Sequence, residues 1–188
     1  MIRRKFIAAL AAVFAAPAFS FSHLKTSIQA SVRGFKIPSG QGRIHGHLKL
    51  KGVNENILDV KISGSDTQGA LSIFEQTSLS QGKGTPLHVH DAQDEIFYVM
   101  NGAYYFQVGN DKYDLIAGDS IFLPRKVPHA WTQVSEKGKM MVVLQPAGNL
   151  ENFFVTMSNI QHEPSPAEIA KIFSENGMKI VGPPLKLK

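Results

Sequence analysis

His88 and His90 stand two residues apart in the run Thr85-Pro-Leu-His-Val-His, and Glu95 follows five residues later across a polar stretch. Side chains alternate with a period of two along a strand, so both imidazoles share one face. A third histidine, His129, comes one hairpin further on, after Gly118 and Pro124. Three imidazoles and one carboxylate brought into one cavity form a nitrogen and oxygen ligand set for a divalent transition metal. Four protein ligands leave one or two coordination positions for water, substrate or dioxygen. Iron, manganese, nickel, cobalt, copper and zinc all suit such ligands, and ligand type alone does not choose among them.

The glycines around these residues complete two motifs. Gly82, His88, His90, Glu95 and Gly102 keep the spacing Gly, five residues, His, any, His, four residues, Glu, six residues, Gly. Gly118, Pro124 and His129 form the second motif. Lys126 stands where that motif has Gly, and Gln133 where it has Asn. On these residues the chain resembles the cupin family. Within it, Pro86 to His90, Asp94 to Val99, Pro124-Arg125 and Pro128-His129 are most similar to small, single-domain quercetin-dioxygenase-like cupins.

The resemblance implies an all-β fold, the double-stranded β-helix or jelly-roll barrel, carrying one divalent transition metal on His88, His90, Glu95 and His129. It also implies a metal-dependent dioxygenase whose partners are a small aromatic or enolic substrate and dioxygen. Glu95 would act as the catalytic base on an enolic hydroxyl. Two other readings stand beside it: a non-catalytic metal- or small-molecule-binding cupin, and an isomerase or lyase on a sugar or oxo-acid. The last would want an inward cationic cluster, and only Arg125 and Lys126 offer themselves.

Alternation extends the site. From Glu95 it turns Phe97 and Val99 inward, and from His129 it turns Trp131 and Gln133 inward. Phe74 and Phe106 are expected to join them, so the predicted substrate pocket is Phe74, Phe97, Val99, Phe106 and Trp131. Asp91 and Asp94 flank the ligands and read as solvated turn carboxylates. His45-Gly46-His47 copies the His-x-His spacing without a following carboxylate, and its neighbours Arg43, Lys49 and Lys51 mark a solvated strand face.

The elements that must position these residues read as short alternating runs split by Gly, Asn and Asp. Strands are expected at 44–51, 57–63, 69–77, 86–90, 95–100, 103–108, 112–116, 120–123, 129–134, 139–145 and 152–157. Many short strands at this spacing mark a sandwich or barrel. Ser165-Pro166-Ala167-Glu168 opens one amphipathic helix: Ser165 caps, Pro166 takes the first helical position and Gly177 closes it. Pro183-Pro184 and a Lys-rich tail end the chain.

The N-terminus has the order of an export signal. Arg3-Arg4-Lys5 precedes an apolar run from Phe6 to Ala16 and small residues at Ala16 and Ala18. The divisions expected are a signal peptide at 1–18, a twin-arginine type being one option, an arm at 19–42, a barrel at 43–160 and a helix with tail at 161–188. Export would place the protein in a bacterial periplasm or outside the cell. Loss of Arg3, Arg4 and Lys5 would lower the formal net charge from +5 to +2. No basic patch for nucleic acid remains, and no stable membrane anchor is expected after signal removal. A homodimer is expected, with the arm as one means of pairing. The absence of cysteine excludes disulfides and thiolate ligands.

Overall fold

The computed structural model describes residues 33–187, and its compact folded unit begins at Gly34. The expected signal at 1–18, most of the arm at 19–42, and His23 lie outside the described residues.

Eleven strands form two antiparallel sheets among the described residues. The first sheet runs β1 (Leu48–Lys49), β2 (Ile57–Ile62), β3 (Ser72–Ser78), β10 (Gly138–Gln145), β5 (Asp94–Asn101), β8 (Ser120–Leu123). The second runs β11 (Met178–Pro184), β4 (Pro86–His90), β9 (His129–Gln133), β6 (Ala103–Val108), β7 (Asp111–Ile116). This is an all-β, jelly-roll architecture, with side chains from both inner faces interleaved between the sheets.

The alternation that underlies the sequence reading is present. On β4, Pro86, His88 and His90 are buried. On β5, Glu95, Phe97 and Val99 point inward, while Ile96, Tyr98 and Met100 are exposed on the outer face. Strand β9 departs from alternation, because all five of its residues are buried. Its outer face is covered by the C-terminal segment, and Thr132 Oγ1 donates to the Leu185 carbonyl.

Three expectations are corrected. The strand expected at 152–157 is a helix, α1 (Leu150–Asn159). Leu150, Phe153, Phe154 and Met157 are its buried residues, and their spacing is one face of a helix rather than of a strand. The strand expected at 44–51 contracts to Leu48–Lys49, because His45 and Gly46 both take positive φ and turn the chain. The tail is not free: after α2 (Pro166–Glu175) the chain pairs along β4 as β11, with Ile180 opposite His88 and Met178 opposite His90. Pro183 and Pro184 are tolerated there because β11 is an edge strand. The helix α2 starts as its sequence indicates, with Ser165 Oγ accepting from the Glu168 amide at 3.2 Å.

Candidate metal centre

His88 and His90 come from β4 and His129 from the adjoining β9, all in one sheet. Glu95 comes from β5 in the facing sheet and closes the group across the interior. One ligating atom from each of the four lies within 4.8 Å of the others. All four are buried, with His129 fully covered and His90 at 1% exposure. Glu95 Oε2 is 3.3 Å from His129 Nε2 and 3.9 Å from His90 Nε2.

The other ring nitrogens are already engaged. His88 Nδ1 meets the Pro86 carbonyl at 2.8 Å, and His129 Nδ1 meets the Val127 carbonyl at 3.0 Å. A carbonyl only accepts, so Nδ1 carries the proton in both rings and Nε2 presents its lone pair. His90 Nδ1 faces Gln93 Oε1 at 3.4 Å, and Gln93 Nε2 donates to the Ala147 carbonyl at 2.9 Å, which fixes the amide's orientation. Gly148 makes room for that amide: a Cβ at Gly148 would lie 2.1 Å from Gln93 Nε2. The Nε2 atoms of His90 and His129 are buried without any hydrogen-bond partner. Two orphaned buried acceptors aimed at one carboxylate are costly unless a cation joins them. The donor set therefore fits a divalent transition metal on its own geometry.

The electrostatics agree. Burial lowers the His88 pKa to about 3, reinforced by His129 and His90, and burial lowers that of His129 to about 4. His90 shifts down for the same first reason. Burial raises Glu95, against the opposing pull of His90 and His88. The imidazoles are thus neutral and ready to ligate at ordinary pH, and their contacts with Glu95 are not ion pairs.

A small cavity opens beside the ligands. Its volume is about 50 Å³, enough for a few waters and well below the several hundred typical of drug-sized ligands. Phe97 and Trp131 line it. Phe74, Val99 and Phe106, expected in the same wall, are fully buried in the core behind it, with Phe106 edge-on to Phe97 at 5.2 Å and Phe74 edge-on to Phe154 at 5.1 Å. Much of the wall that sequence reading missed comes from the helices: Leu150, Phe153, Phe154 and Met157 of α1, and Phe173 of α2. The spacing of the four α1 residues was the available signal.

The flanking residues do other work. Asp94 is not merely solvated: it receives the Arg125 guanidinium at 2.6 and 3.0 Å and the Arg125 amide at 2.8 Å, and these bonds hold its pKa near 2. Asp91 is exposed, and so are Arg125 and Lys126, which supply no inward charge. The cation that reaches the cavity wall is Lys51. Of the false pair, His45 meets Glu151 at 3.1 Å and His47 meets Asp59 at 2.7 Å, outside the centre. His162 pairs with Glu168 at the surface. At the departures from the motif, Lys126 keeps a left-handed backbone (φ 65°) despite its side chain. Gln133 is fully buried: it accepts from the Ser80 amide at 2.8 Å and donates to the Ser135 and Glu136 carbonyls, so it staples loops and touches no ligand.

A two-sheet barrel with three histidines and a glutamate converging inside defines a β-barrel protein with a candidate metal centre. The family profile described as "Cupin domain" matches residues 76–144, the segment that holds all four ligands, and this segment is a cupin domain. An uncharacterised protein of Methanocaldococcus jannaschii is 38% identical over 62 residues, covering 33% of this chain and 50% of that protein. Quercetin 2,3-dioxygenase of Bacillus subtilis is 30% identical over 102 residues, covering 51% of this chain and 30% of that enzyme. The chain thus spans half or less of these relatives' own length. An RmlC-like cupin from Shewanella frigidimarina superposes with a TM-score of 0.48 at 19% identity, covering 61% of this chain and 92% of that one.

Proposed function

We propose that this protein is a metal-dependent dioxygenase acting on a compact enolic or aromatic substrate. The observation that carries the reading is the Glu95 carboxylate, buried, facing imidazoles and, among the described residues, paired with no lysine or arginine. Burial raises its affinity for a proton, which suits a base that must take one from an enolic hydroxyl. A divalent ion held by His88, His90, Glu95 and His129 would supply a Lewis acid and a template for substrate and dioxygen. Around it, Phe97 and Trp131 present flat apolar surfaces to a planar substrate, and α1 adds Leu150, Phe153, Phe154 and Met157 to the wall. The partial similarity to quercetin 2,3-dioxygenase supports the reaction class. The cavity's size points to a substrate smaller than a flavonol, unless α1 moves.

The test is oxygen consumption by protein loaded in turn with iron, manganese, nickel, cobalt and copper, given catechol or quercetin. Turnover with at least one metal, reduced about 10²–10⁴-fold in Glu95→Gln, is the expected result. Oxygen consumption unchanged in that variant would remove Glu95 from the mechanism. A second reading, a non-catalytic metal-binding cupin, is favoured by the small size of the cavity. It would be supported by tight metal retention with no turnover on any metal.

Two further expectations belong to the same proposal. Export is supported by the order of Arg3-Arg4-Lys5, the apolar run and Ala16-Pro17-Ala18, and mass spectrometry of the protein from its own host would test it. A homodimer is supported by the exposed apolar row of Ile96, Tyr98 and Phe122 on the outer face of β5 and β8.

A further inference from the structure

The cavity beside the metal ligands is apolar except for a few groups, and one of them is Lys51, a cation whose sequence neighbourhood reads as a solvated strand face. Lys51 lies in the loop between β1 and β2 and is half-buried. Its ammonium donates to the Ile160 carbonyl, at the C-terminal end of α1, at 2.6 Å. None of the ion pairs among the described residues includes Lys51. Held by one carbonyl at the C-terminal end of α1, the ammonium enters no ion pair among the described residues and has two further N–H donors to offer.

Its position joins two spaces. Leu50, Lys51 and Asn54 line the cavity that contains His88, His90 and Glu95, and the same three residues line an open cleft on the outside. The wall between the two is therefore one layer of side chains. The cleft also carries Lys49 and Lys83 against Glu55 and Glu163, and the Lys83–Glu55 contact is loose at 3.8 Å. With Lys51 the cleft holds three lysines against two glutamates, so Lys51 is the excess positive charge that an entering anion meets. The loop that holds Lys51 is itself fixed. Gly52 has a positive φ, and a Cβ there would lie 2.4 Å from Pro164 Cγ. That close packing, with the Ile160 bond, sets the ammonium in place rather than leaving it to sweep through solvent.

We infer that Lys51 determines specificity: the substrate carries a single carboxylate, enters from the lysine-bearing cleft, and binds with that carboxylate on the Lys51 ammonium and its enolic or phenolic end toward the metal ligands. This rests on the dioxygenase reading for the reacting end only. One cation without a partner selects a monoanion over a dianion. Because Lys51 has donors to spare, the carboxylate adds to the Ile160 bond rather than replacing it. Lys51 is a binding residue and takes no part in proton transfer at Glu95.

A matched pair of probes tests it: catechol, and 3,4-dihydroxybenzoate, which adds one carboxylate to the same diol. Each is titrated against zinc-loaded wild-type protein, Lys51→Met and Lys51→Arg, following Trp131, the chain's single tryptophan, by fluorescence. Wild type is expected to favour the carboxylated probe about tenfold after the intrinsic difference between the probes is cancelled against Lys51→Met. Lys51→Arg is expected to keep most of that preference, and salt to weaken it. A preference equal in wild type and Lys51→Met overturns the inference, as does failure of 3,4-dihydroxybenzoate to bind wild type. Oxygen consumption by the iron-loaded protein separates this from the reaction class. The Lys51-dependent preference without oxygen uptake upholds the carboxylate site and removes the dioxygenase reading. Oxygen uptake indifferent to Lys51 does the reverse.

Discussion

His88 and His129 stand directly opposite each other across the β4–β9 pair, with ring centroids 4.6 Å apart and planes at 72°. Two imidazoles from neighbouring strands are thus held edge to face by the backbone register rather than by the ligand they would share. The same strand, β4, is braced on its other side by β11, where Ile180 faces His88. The centre is accordingly built mainly into one sheet, and Glu95 is the ligand that ties the second sheet to it. A cation bound here would cross-link the two layers and stabilise the fold by mass action.

Gln93 orients His90 by accepting from its Nδ1 and is itself tethered to the Ala147 carbonyl. Gln93→Leu keeps similar volume and removes both bonds. Metal affinity is expected to fall about 10–100-fold with little loss of secondary structure. Competition with a chromophoric chelator, alongside circular dichroism, measures both. Unchanged affinity would show that packing alone holds the His90 ring.

The pH dependence of the chelator-treated protein has a definite sign. The folded pKa values of His88 and His129, about 3 and 4, lie below the ordinary 6.5, and His90 shifts the same way. Below pH 6.5 the unfolded chain takes up protons that the folded chain refuses, so stability falls as pH drops from 6.5 toward 4. Glu95, raised above 4.5, opposes this by taking a proton in the folded state first. Asp94, near 2, loses its contribution only below that window. Urea unfolding across pH 7 to 4 should show the decline, and Glu95→Gln should steepen it. A flat profile would contradict the burial of the imidazoles.

Lys126 occupies a left-handed conformation that suits glycine, and its amide donates to the His90 carbonyl at 2.8 Å. The side chain is exposed and makes no described hydrogen bond or ion pair. Relief of strain in Lys126→Gly, partly offset by the greater entropy of an unfolded glycine, should leave a gain of up to about 1 kcal/mol. Thermal or urea denaturation checks it. A clear loss of stability would mean that the Lys126 side chain supports the turn.

Phe154 caps the cavity and packs edge-on against Phe74. Phe154→Ala should cost about 3–5 kcal/mol of stability while enlarging the space beside the ligands. Quercetin, too large for the wild-type cavity, should then quench Trp131 at lower concentration than in wild type. Equal quenching in both proteins would mean that α1 already moves aside.

The centre was legible because its information is local and strict. His-x-His needs only strand alternation, and the positions of Glu95 and His129 follow from glycine and proline spacing around hairpins. Strands β4 to β8 were legible for the same reason: each turn carries Gly, Asn or Asp. The cap was not. Asn152-Phe-Phe-Val155 holds residues that favour strands, and tertiary packing of Leu150, Phe153, Phe154 and Met157 onto the barrel decided for a helix. The tail was missed because Pro183 and Pro184 argue against a strand unless the strand is an edge. Lys51 reads in sequence as part of a solvated strand face because its surroundings depend on where α1 ends, just before Ile160, more than a hundred residues away.

The central claim is that His88, His90, Glu95 and His129 hold one divalent metal ion. Elemental analysis of the protein purified from its own host, beside His129→Ala purified in the same way, tests it most directly. About one ion per chain in wild type, falling to a small fraction of that in the variant while the fold persists by circular dichroism, is the predicted result. Wild-type protein without stoichiometric metal, or His129→Ala retaining it in full, would contradict the account.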